Sequence, residues 1–428
     1  MAGADGFPDD FLWGAATSAY QIEGSPLADG SGPSVWDDFC RQPGRIAGGD
    51  TGDVACDHYR RFHGDVDLMA QIGLRSYRFS IAWSRVLPDG RGRLNRHGLE
   101  FYRTLAECLL ERGIKPFATL YHWDLPLALQ QQGGWANPDC AHWFAEYAAL
   151  MFRHLGEHIT FWSTLNEPWV VIDGAYVTGM HPPGVATPKA APRVAHTLLR
   201  GHALAVQAFR AEAHGQIGLV VNLEPKHAAS SDPADIAAME RAHAYMNRQF
   251  LDPVFLGSYP EDLGECFGDA WPRFPQDELR LLQEPMDFLG INYYSRAVVR
   301  DEPAGDVCRG ARVRQDGSEH TAMDWEVYPE GLGSVLRWVK RRYGDIPLYV
   351  TENGAAFDDP PAVGGRIADG RRVAYLREHL VAARDALCDG VDLRGYFVWS
   401  LLDNFEWTYG YAKRFGIVGV DFGTQERV

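Results

Sequence analysis

The sequence has 428 residues, of which 46% are hydrophobic, so it is long enough for two or three average domains or for one large α/β barrel. Its 57 acidic residues outnumber its 41 basic residues, and the net charge is −16. Because nucleic acids and anionic membrane surfaces repel an acidic protein, this charge argues against both as partners and leaves a neutral substrate open.

Apolar segments alternate with amphipathic segments along the chain. The apolar segments are short and nearly continuous, which is typical of strands that are covered on both faces. The predicted strands are 11–17, 76–83, 115–123, 159–167, 216–223, 288–295, 347–354 and 394–403. The amphipathic segments repeat apolar residues at the spacing of one helix face. The predicted helices are 98–112, 139–155, 193–214, 331–342 and 371–388.

This alternation predicts an α/β fold with a single (β/α)₈ TIM barrel over residues 1–428. A doubly wound sheet is the alternative, but it usually has fewer strands and a glycine-rich first turn, which this sequence lacks. Most of the long predicted loops follow strands, so they should crowd the carboxyl-terminal face, where barrel enzymes build their sites. These loops are 23–58, 171–192, 224–234 and 300–328.

The segment after the eighth predicted strand has no helical pattern. Since each strand of such a barrel is normally followed by a helix, we expect the closing helix to be missing. Either the chain is truncated, or the flank between the first and last strands is covered in another way.

The N-terminus and the cysteines are those expected of a cytoplasmic protein. No basic segment followed by an apolar one marks a signal peptide, and no apolar run has the length of a membrane span. The seven cysteines are scattered, odd in number and without a C-x-x-C pair. We therefore expect reduced thiols and no zinc site.

Two of the predicted strands end on a glutamate. The apolar run of LYVTENGAAF, residues 348–357, ends on Glu352, and that of FWSTLNEPWV, residues 161–170, ends on Glu167. Each acid could simply be solvated beside a turn, since Asn-Gly and Pro follow them. However, strands four and seven of an eight-stranded barrel face each other, so both carboxylates would meet at its mouth. Two such carboxylates repel and acquire different pKa values, which suits the acid and the nucleophile of glycoside hydrolysis.

Seven motifs extend this pattern over the chain. They are FLWGAATSAYQIEGS (11–25), YRFSIAWSR, YHWDLP, TLNEPW, GINYYS, LYVTENGAA and WSLLDNFEWTYGYAKRFGIVGVDF. In these motifs and in their order, the sequence resembles glycoside hydrolase family 1, the β-glucosidase-like enzymes, over nearly its whole length. The resemblance implies a barrel enzyme that hydrolyses β-glycosides without a metal or an organic cofactor.

The resemblance implies that Glu352 is the nucleophile and that Glu167 is the general acid/base. Arg78 and the hydroxyl of Tyr294 would keep Glu352 ionised. The charge on Glu352 would in turn keep Glu167 protonated until a glycosyl ester removes that charge. Arg78 could alternatively be an ordinary surface ion-pair residue.

The resemblance also assigns residues that bind the substrate. The sugar-binding residues are Gln21, His122, Asn166, Asn292, Tyr294, Trp399, Glu406 and Trp407, with Trp169 and Trp325 at the entrance for the leaving group. Indole rings stack on apolar sugar faces and hydroxyls need polar partners, and the 13 Trp of the chain are consistent with such a site. His122 and Trp399 could instead be ordinary core residues.

These features predict a retaining, exo-acting β-glucosidase that acts on small β-glucosides and cello-oligosaccharides. One alternative is a 6-phospho-β-glycosidase, which is disfavoured because its phospho-specific relatives place serine where this chain has Glu406. A sugar-binding barrel without catalysis is disfavoured because Glu167 and Glu352 are both present. Transglycosylation, the preference among glucose, galactose and fucose, the aglycone and the oligomeric state stay open.

Overall fold

A computed structural model describes residues 6–428. The first five residues of the predicted 1–428 domain, which belong to the N-terminal segment that shows no signal peptide, lie outside the described residues. Within 6–428, no helix combines the length and the apolar character needed to cross a bilayer.

The strands form one closed barrel and one small sheet. In chain order they are β1 Leu12–Ala16, β2 Ser76–Ser80, β3 Lys115–Tyr121, β4 Phe161–Asn166, β5 Gln216–Asn222, β6 Lys226–Ala228, β7 Phe288–Asn292, β8 Ala297–Asp301, β9 Gly310–Arg312, β10 Leu348–Asn353 and β11 Leu393–Trp399. The barrel order is β1-β2-β3-β4-β5-β7-β10-β11, closed by parallel pairing of β11 with β1. All eight predicted strands are therefore barrel strands, and the predicted α/β TIM barrel is confirmed.

Helices surround the barrel on its outside. The longest in the described chain are α1 His58–Gln71, α2 Arg96–Glu111, α3 Cys140–Leu155, α4 Ala191–Glu212, α5 Pro233–His243, α6 Pro329–Tyr343 and α7 Gly370–Cys388. Shorter helical segments are Ala19–Ile22, Val35–Cys40, Trp83–Val86, Leu127–Gln130, Pro168–Val170, Val171–Val177, Ala244–Arg248, Asp252–Leu256, Asp262–Phe267, Gln276–Leu282 and the turn Trp407–Tyr409. The five helices predicted from amphipathic spacing are α2, α3, α4, α6 and α7, each within two residues of its expected bounds.

Aromatic side chains close the amino-terminal half of the barrel lumen. The ring of Phe117 on β3 lies 4.1 Å from that of Phe161 on β4 and 5.5 Å from that of Phe397 on β11. Phe288 on β7 lies 4.7 Å from Phe161. Because these rings exclude water from the bottom of the lumen, polar side chains of the barrel gather at the carboxyl-terminal mouth.

Two segments expected to be loops contain strands. β6 lies inside 224–234, and β9 lies inside 300–328; with β8 they form a small sheet in the order β6-β8-β9. This sheet stands beside the mouth of the barrel and supplies part of its wall. After β11, residues 400–428 contain turns and isolated bridges but no α-helix.

Candidate active site

A cavity of about 520 Å³ opens at the carboxyl-terminal mouth of the barrel. Ten of the predicted site residues line it: His122, Glu167, Trp169, Asn292, Tyr294, Trp325, Glu352, Trp399, Glu406 and Trp407. The other three, Gln21, Arg78 and Asn166, are buried behind this lining and hold lining residues in place. The structure thus brings the predicted site residues together, although they come from seven of the eight barrel strands and the loops that follow them.

Glu352 is a buried carboxylate held by two donors. It lies near the end of β10 and is 3% exposed. One oxygen accepts a hydrogen bond of 2.6 Å from the Arg78 guanidinium, and the other accepts one of 2.6 Å from the Tyr294 hydroxyl. Burial raises the pKa of the Glu352 carboxyl, while the charge of Arg78 and the Tyr294 hydroxyl oppose that rise. The cation and the hydroxyl make Glu352 the carboxyl that ionises first.

Glu167 is buried to a similar degree but has no cation in contact. It follows β4 in a left-handed conformation, with φ 46° and ψ 64°, and Pro168 starts the next helix. Its carboxylate accepts one hydrogen bond of 2.6 Å from the Asn292 amide. Burial, and then the charge of Glu352, raise the pKa of Glu167 to about 8. At neutral pH Glu167 is therefore mostly protonated.

Asn166 fixes the groups around the two glutamates. Its side-chain oxygen accepts hydrogen bonds from Arg78 at 2.7 Å and from Asn292 at 3.0 Å. Its amide nitrogen lies 3.1 Å from Nε2 of His122. Since Arg78 contacts Glu352 and Asn292 contacts Glu167, this single buried amide sets the relative position of both acids.

Glu406 also lines the cavity and accepts a hydrogen bond from Gln21. The Gln21 amide donates to the Glu406 carboxylate at 3.2 Å and also to the side chain of Asn404 at 3.0 Å. Burial and the charge of Glu352 raise the pKa of Glu406 to about 8, although Gln21 opposes this. Gln21 itself is fully buried, so its contact with the cavity runs through Glu406.

Three aromatic side chains, His122, Trp399 and Trp407, form one wall of the cavity. The His122 ring is stacked against Trp399 at 5.7 Å and 21°, and against Trp407 at 6.1 Å and 23°. Behind Trp407 lie the rings of Trp36 at 4.5 Å and Tyr20 at 6.4 Å. Burial lowers the pKa of His122 well below its usual value, so the ring is neutral. Its buried Nδ1 has no hydrogen-bond partner among residues 6–428.

The two entrance tryptophans line the cavity beside different tyrosines. Trp325 packs 5.2 Å from the ring of Tyr294, and Trp169 packs 5.8 Å from that of Tyr245. Both are partly exposed, unlike Trp399 and Trp407. Their position fits the outer part of the cavity.

Comparison with known proteins identifies the family. The model of "Glycosyl hydrolase family 1" matches residues 4–428. The chain belongs to glycosyl hydrolase family 1. Beta-glucosidase A of Thermotoga maritima is 49% identical over 99% of this chain and 95% of its own length. A 1,4-beta-D-glucan glucohydrolase of Thermotoga neapolitana is 48% identical over 99% of both chains.

Solved structures agree with this assignment. The beta-glucosidase from Thermotoga maritima in complex with glucoimidazole superimposes with a TM-score of 0.96 at 48% identity, covering 99% of this chain and 96% of that chain. The predicted resemblance to the family is therefore confirmed, and so is the barrel.

Sequence reasoning missed two residues of this family 1 site. Trp123, at φ 78°, donates from its indole to the Asn166 carbonyl at 2.9 Å and lies 4.7 Å from Trp407. Thr351 donates to the Asn292 side-chain oxygen at 2.7 Å, which turns the Asn292 amide towards Glu167. Trp123 lies within YHWDLP and Thr351 within LYVTENGAA, so motifs contained both residues, but neither motif indicated their contacts.

Proposed function

We propose that this family 1 glycosyl hydrolase is a retaining, exo-acting β-glucosidase that works by double displacement. The observation that carries the proposal is the unequal environment of the two acids. Glu352 contacts a guanidinium and a hydroxyl, whereas Glu167 has one amide donor and a pKa of about 8. A nucleophile must be ionised and an acid must be protonated in the same resting site, and this asymmetry supplies both states.

In the first step, Glu352 attacks the anomeric carbon of the sugar while Glu167 protonates the departing glycosidic oxygen. A covalent glycosyl ester forms on Glu352, and the leaving group departs as an alcohol. Asn292 holds the Glu167 carboxyl through its hydrogen bond of 2.6 Å, and Tyr294 releases its bond to Glu352 as the carboxylate becomes an ester.

In the second step, water attacks the same carbon from the face vacated by the leaving group. The charge of Glu352, which raised the pKa of Glu167, is now neutralised in the ester. Glu167 therefore loses its proton more easily and acts as the base towards water. Two displacements at one carbon restore the β configuration, and Glu352 returns to its ionised state.

The closed end of the cavity supports exo action. Glu406 and Trp407 stand there, backed by the packed rings of Trp36 and Tyr20. A terminal, non-reducing sugar fits against this wall, with Glu406 and the His122 ring as partners for its hydroxyls, while Gln21 holds Glu406 from behind. A longer chain can then extend only towards Trp169 and Trp325.

The proposed substrates are small β-glucosides and cello-oligosaccharides. The name of the Thermotoga neapolitana relative, a 1,4-beta-D-glucan glucohydrolase, supports the second group. The glucoimidazole bound to the Thermotoga maritima relative supports a glucose-shaped innermost site. We also propose a cytoplasmic location, which rests on the free state of all seven cysteines.

The 6-phospho-β-glycosidase alternative has less support from the charges of the cavity. Glu406 stands where a phosphate would need cations and donors. The two cationic side chains that line the cavity, Lys226 and Arg312, both contact Glu224. Lys413, close in sequence to Glu406, donates instead to the Ala322 carbonyl at 2.5 Å.

A panel of nitrophenyl β-glycosides tests the proposal. We expect kcat/KM for the β-glucoside to exceed that for the 6-phospho-β-glucoside by at least about 10³-fold, because a buried phosphate without a paired cation costs several kcal/mol. Glu406→Ser should narrow this ratio, whereas Thr408→Ser, a matched change at the cavity lining, should leave it unchanged. Preferential cleavage of the phosphorylated glycoside by the unmodified protein would overturn the substrate assignment.

A further inference from the structure

Two cysteines that are remote in sequence meet beside the cavity. Cys266 lies in the short helix Asp262–Phe267, and Cys308 lies in the turn between β8 and β9. Their sulfur atoms are 3.0 Å apart, although 42 residues separate them in the chain. A disulfide has a sulfur–sulfur distance of about 2.05 Å, so closing the bond requires a movement of roughly 1 Å.

Both sulfurs are free thiols, and they differ in access. Cys308 is fully buried, while Cys266 is partly exposed. The hydrogen-bonded neighbour Cys266 and burial raise the pKa of the Cys308 thiol. Reagents in solution therefore reach Cys266 first, and Cys308 is positioned to react only with the sulfur beside it.

The surroundings hold the two sulfurs at this separation. The Arg241 guanidinium donates to the Cys308 carbonyl at 2.7 Å and pairs with Asp301 of β8 at 3.2 Å. The backbone of Cys308 donates to the Asp306 carboxylate at 2.9 Å. The pairing of Arg309 with Glu265 at 3.3 Å ties the turn to the helix a second time.

We propose that Cys266 and Cys308 are a reversible disulfide site, which a small oxidised disulfide such as oxidised glutathione closes and a dithiol reopens. The crosslink joins the helix Asp262–Phe267 to the β8–β9 turn. Asp306 of that turn lines the cavity, so the crosslink fixes one wall of its outer part. The catalytic glutamates lie on other strands and are not part of the site.

Two thiol–disulfide exchanges form the crosslink. The Cys266 thiolate attacks one sulfur of oxidised glutathione, which gives a mixed disulfide and releases one reduced glutathione after it takes up a proton. Cys308 then attacks the Cys266 sulfur, and its proton passes to the departing sulfur, so that the second glutathione leaves as a thiol. Two cysteine thiols are thereby oxidised by two electrons, and one glutathione disulfide is reduced to two thiols.

Thiol counting by mass spectrometry tests the site. The folded protein is incubated with oxidised glutathione, denatured, labelled with a maleimide and weighed. We expect Cys266 and Cys308 both to lose their labels without retaining glutathione, and a peptide in which Cys266 is bonded to Cys308, whereas the exposed Cys388 retains any glutathione it takes up. Excess dithiothreitol should restore all labels. The crosslink closes a loop of 42 residues, so the melting temperature of the oxidised protein should rise by about 2–4 °C.

Variants separate this site from general thiol oxidation. Cys266→Ser and Cys308→Ala should each abolish the paired loss of labels and the thermal shift. Cys388→Ser, which removes the exposed thiol at the end of α7, should preserve both. Retention of glutathione on Cys266, loss of labels at another pair, or no loss at all in the folded protein would each overturn the proposal.

Discussion

At the scale of single residues, the chemistry depends on a difference between two similar acids. Both glutamates are buried at the mouth of the barrel, and burial alone raises the pKa of each. Arg78 and Tyr294 contact Glu352 and not Glu167, and this contact separates their roles. Removing Glu167 and removing Glu352 should therefore impair turnover in different ways.

Glu167→Ala should slow hydrolysis of poorly activated glucosides by about 10²–10⁴-fold, because their leaving groups need a proton. A dinitrophenyl glucoside, whose leaving group needs none, should still form the ester with Glu352. Added azide should then restore turnover and give the β-glucosyl azide, which NMR identifies. Glu352→Ala with azide should give the α-azide from an activated substrate.

The unmodified enzyme in the same azide should form no glucosyl azide, which serves as the control. An equal loss of activity by both variants with all leaving groups, or the same azide anomer from both, would show that the two roles are wrongly divided.

The pH profile of kcat/KM tests the same asymmetry. The folded site needs Glu352 ionised and Glu167 protonated, so the profile should be bell-shaped, with a basic limb near the Glu167 pKa of about 8. Tyr294→Phe removes a donor to the anion and raises the pKa of Glu352, so the acidic limb should move upwards by about 1 pH unit. Tyr409→Phe, at the partly exposed rim of the cavity, should not move it. A shift of the acidic limb to lower pH in Tyr294→Phe would contradict this interpretation.

Among the elements, the carboxyl-terminal end of β10 explains the pattern of an apolar run followed by Glu-Asn-Gly. Asn353 is buried, and its amide donates to the Tyr293 carbonyl at 2.7 Å. A Cβ on Gly354 would lie 1.8 Å from the Trp399 carbonyl oxygen. The glycine therefore lets β10 pass close to the end of β11, which brings Glu352 and Trp399 into one site.

Gly354→Ala should lower the free energy of unfolding by about 1–3 kcal/mol and reduce kcat/KM, since backbone must move to relieve the overlap. Gly64→Ala is the matched control. Gly64 lies inside α1, and nothing lies within 4 Å of its added Cβ. That change should stabilise the protein by about 0.5–1 kcal/mol. Thermal melts and kinetics of both variants provide the comparison, and an unchanged melt of Gly354→Ala would refute the close-approach argument.

The sequence predicted some strands and helices and missed others, for physical reasons. Barrel strands are covered on both faces, so each is an apolar run that can be read directly. Helix α1 was missed because part of its buried face is polar: His58 and Asp65 are both buried and lie 2.7 Å apart. β6 and β9 have three residues each, which is too short for the apolar pattern of a strand to be recognised in the sequence. The Cys266–Cys308 contact depends on tertiary packing and has no local signal.

At the scale of the whole molecule, the barrel is covered unevenly. α7 presents an apolar surface on which Val373 is 62% and Val381 is 43% exposed. A groove of about 410 Å³ lies there, lined also by Phe7, Leu376 and Leu380. The last described residues are anchored on α1, where Arg427 pairs with Asp65 at 2.8 Å. We propose that a closing helix fits this surface.

An amphipathic helix fused after Val428 should raise the melting temperature by about 2–4 °C, because covering two valines contributes a few kcal/mol in a chain of this size. The same helix with its apolar positions changed to serine should have no effect. Equal melting temperatures for both fusions would mean that the α7 surface needs no cover.

The central claim is that Glu352 becomes covalently bonded to the sugar, and trapping that ester tests it most directly. A 2-deoxy-2-fluoro-β-glucosyl fluoride slows both displacements but has a good leaving group, so the ester should accumulate. Intact mass should show one fluoroglucosyl group per chain, and peptide mapping should place it on Glu352 within LYVTENGAAF. Glu352→Gln should take up none. A label on any other residue, or no label together with an α-configured first product, would contradict the account.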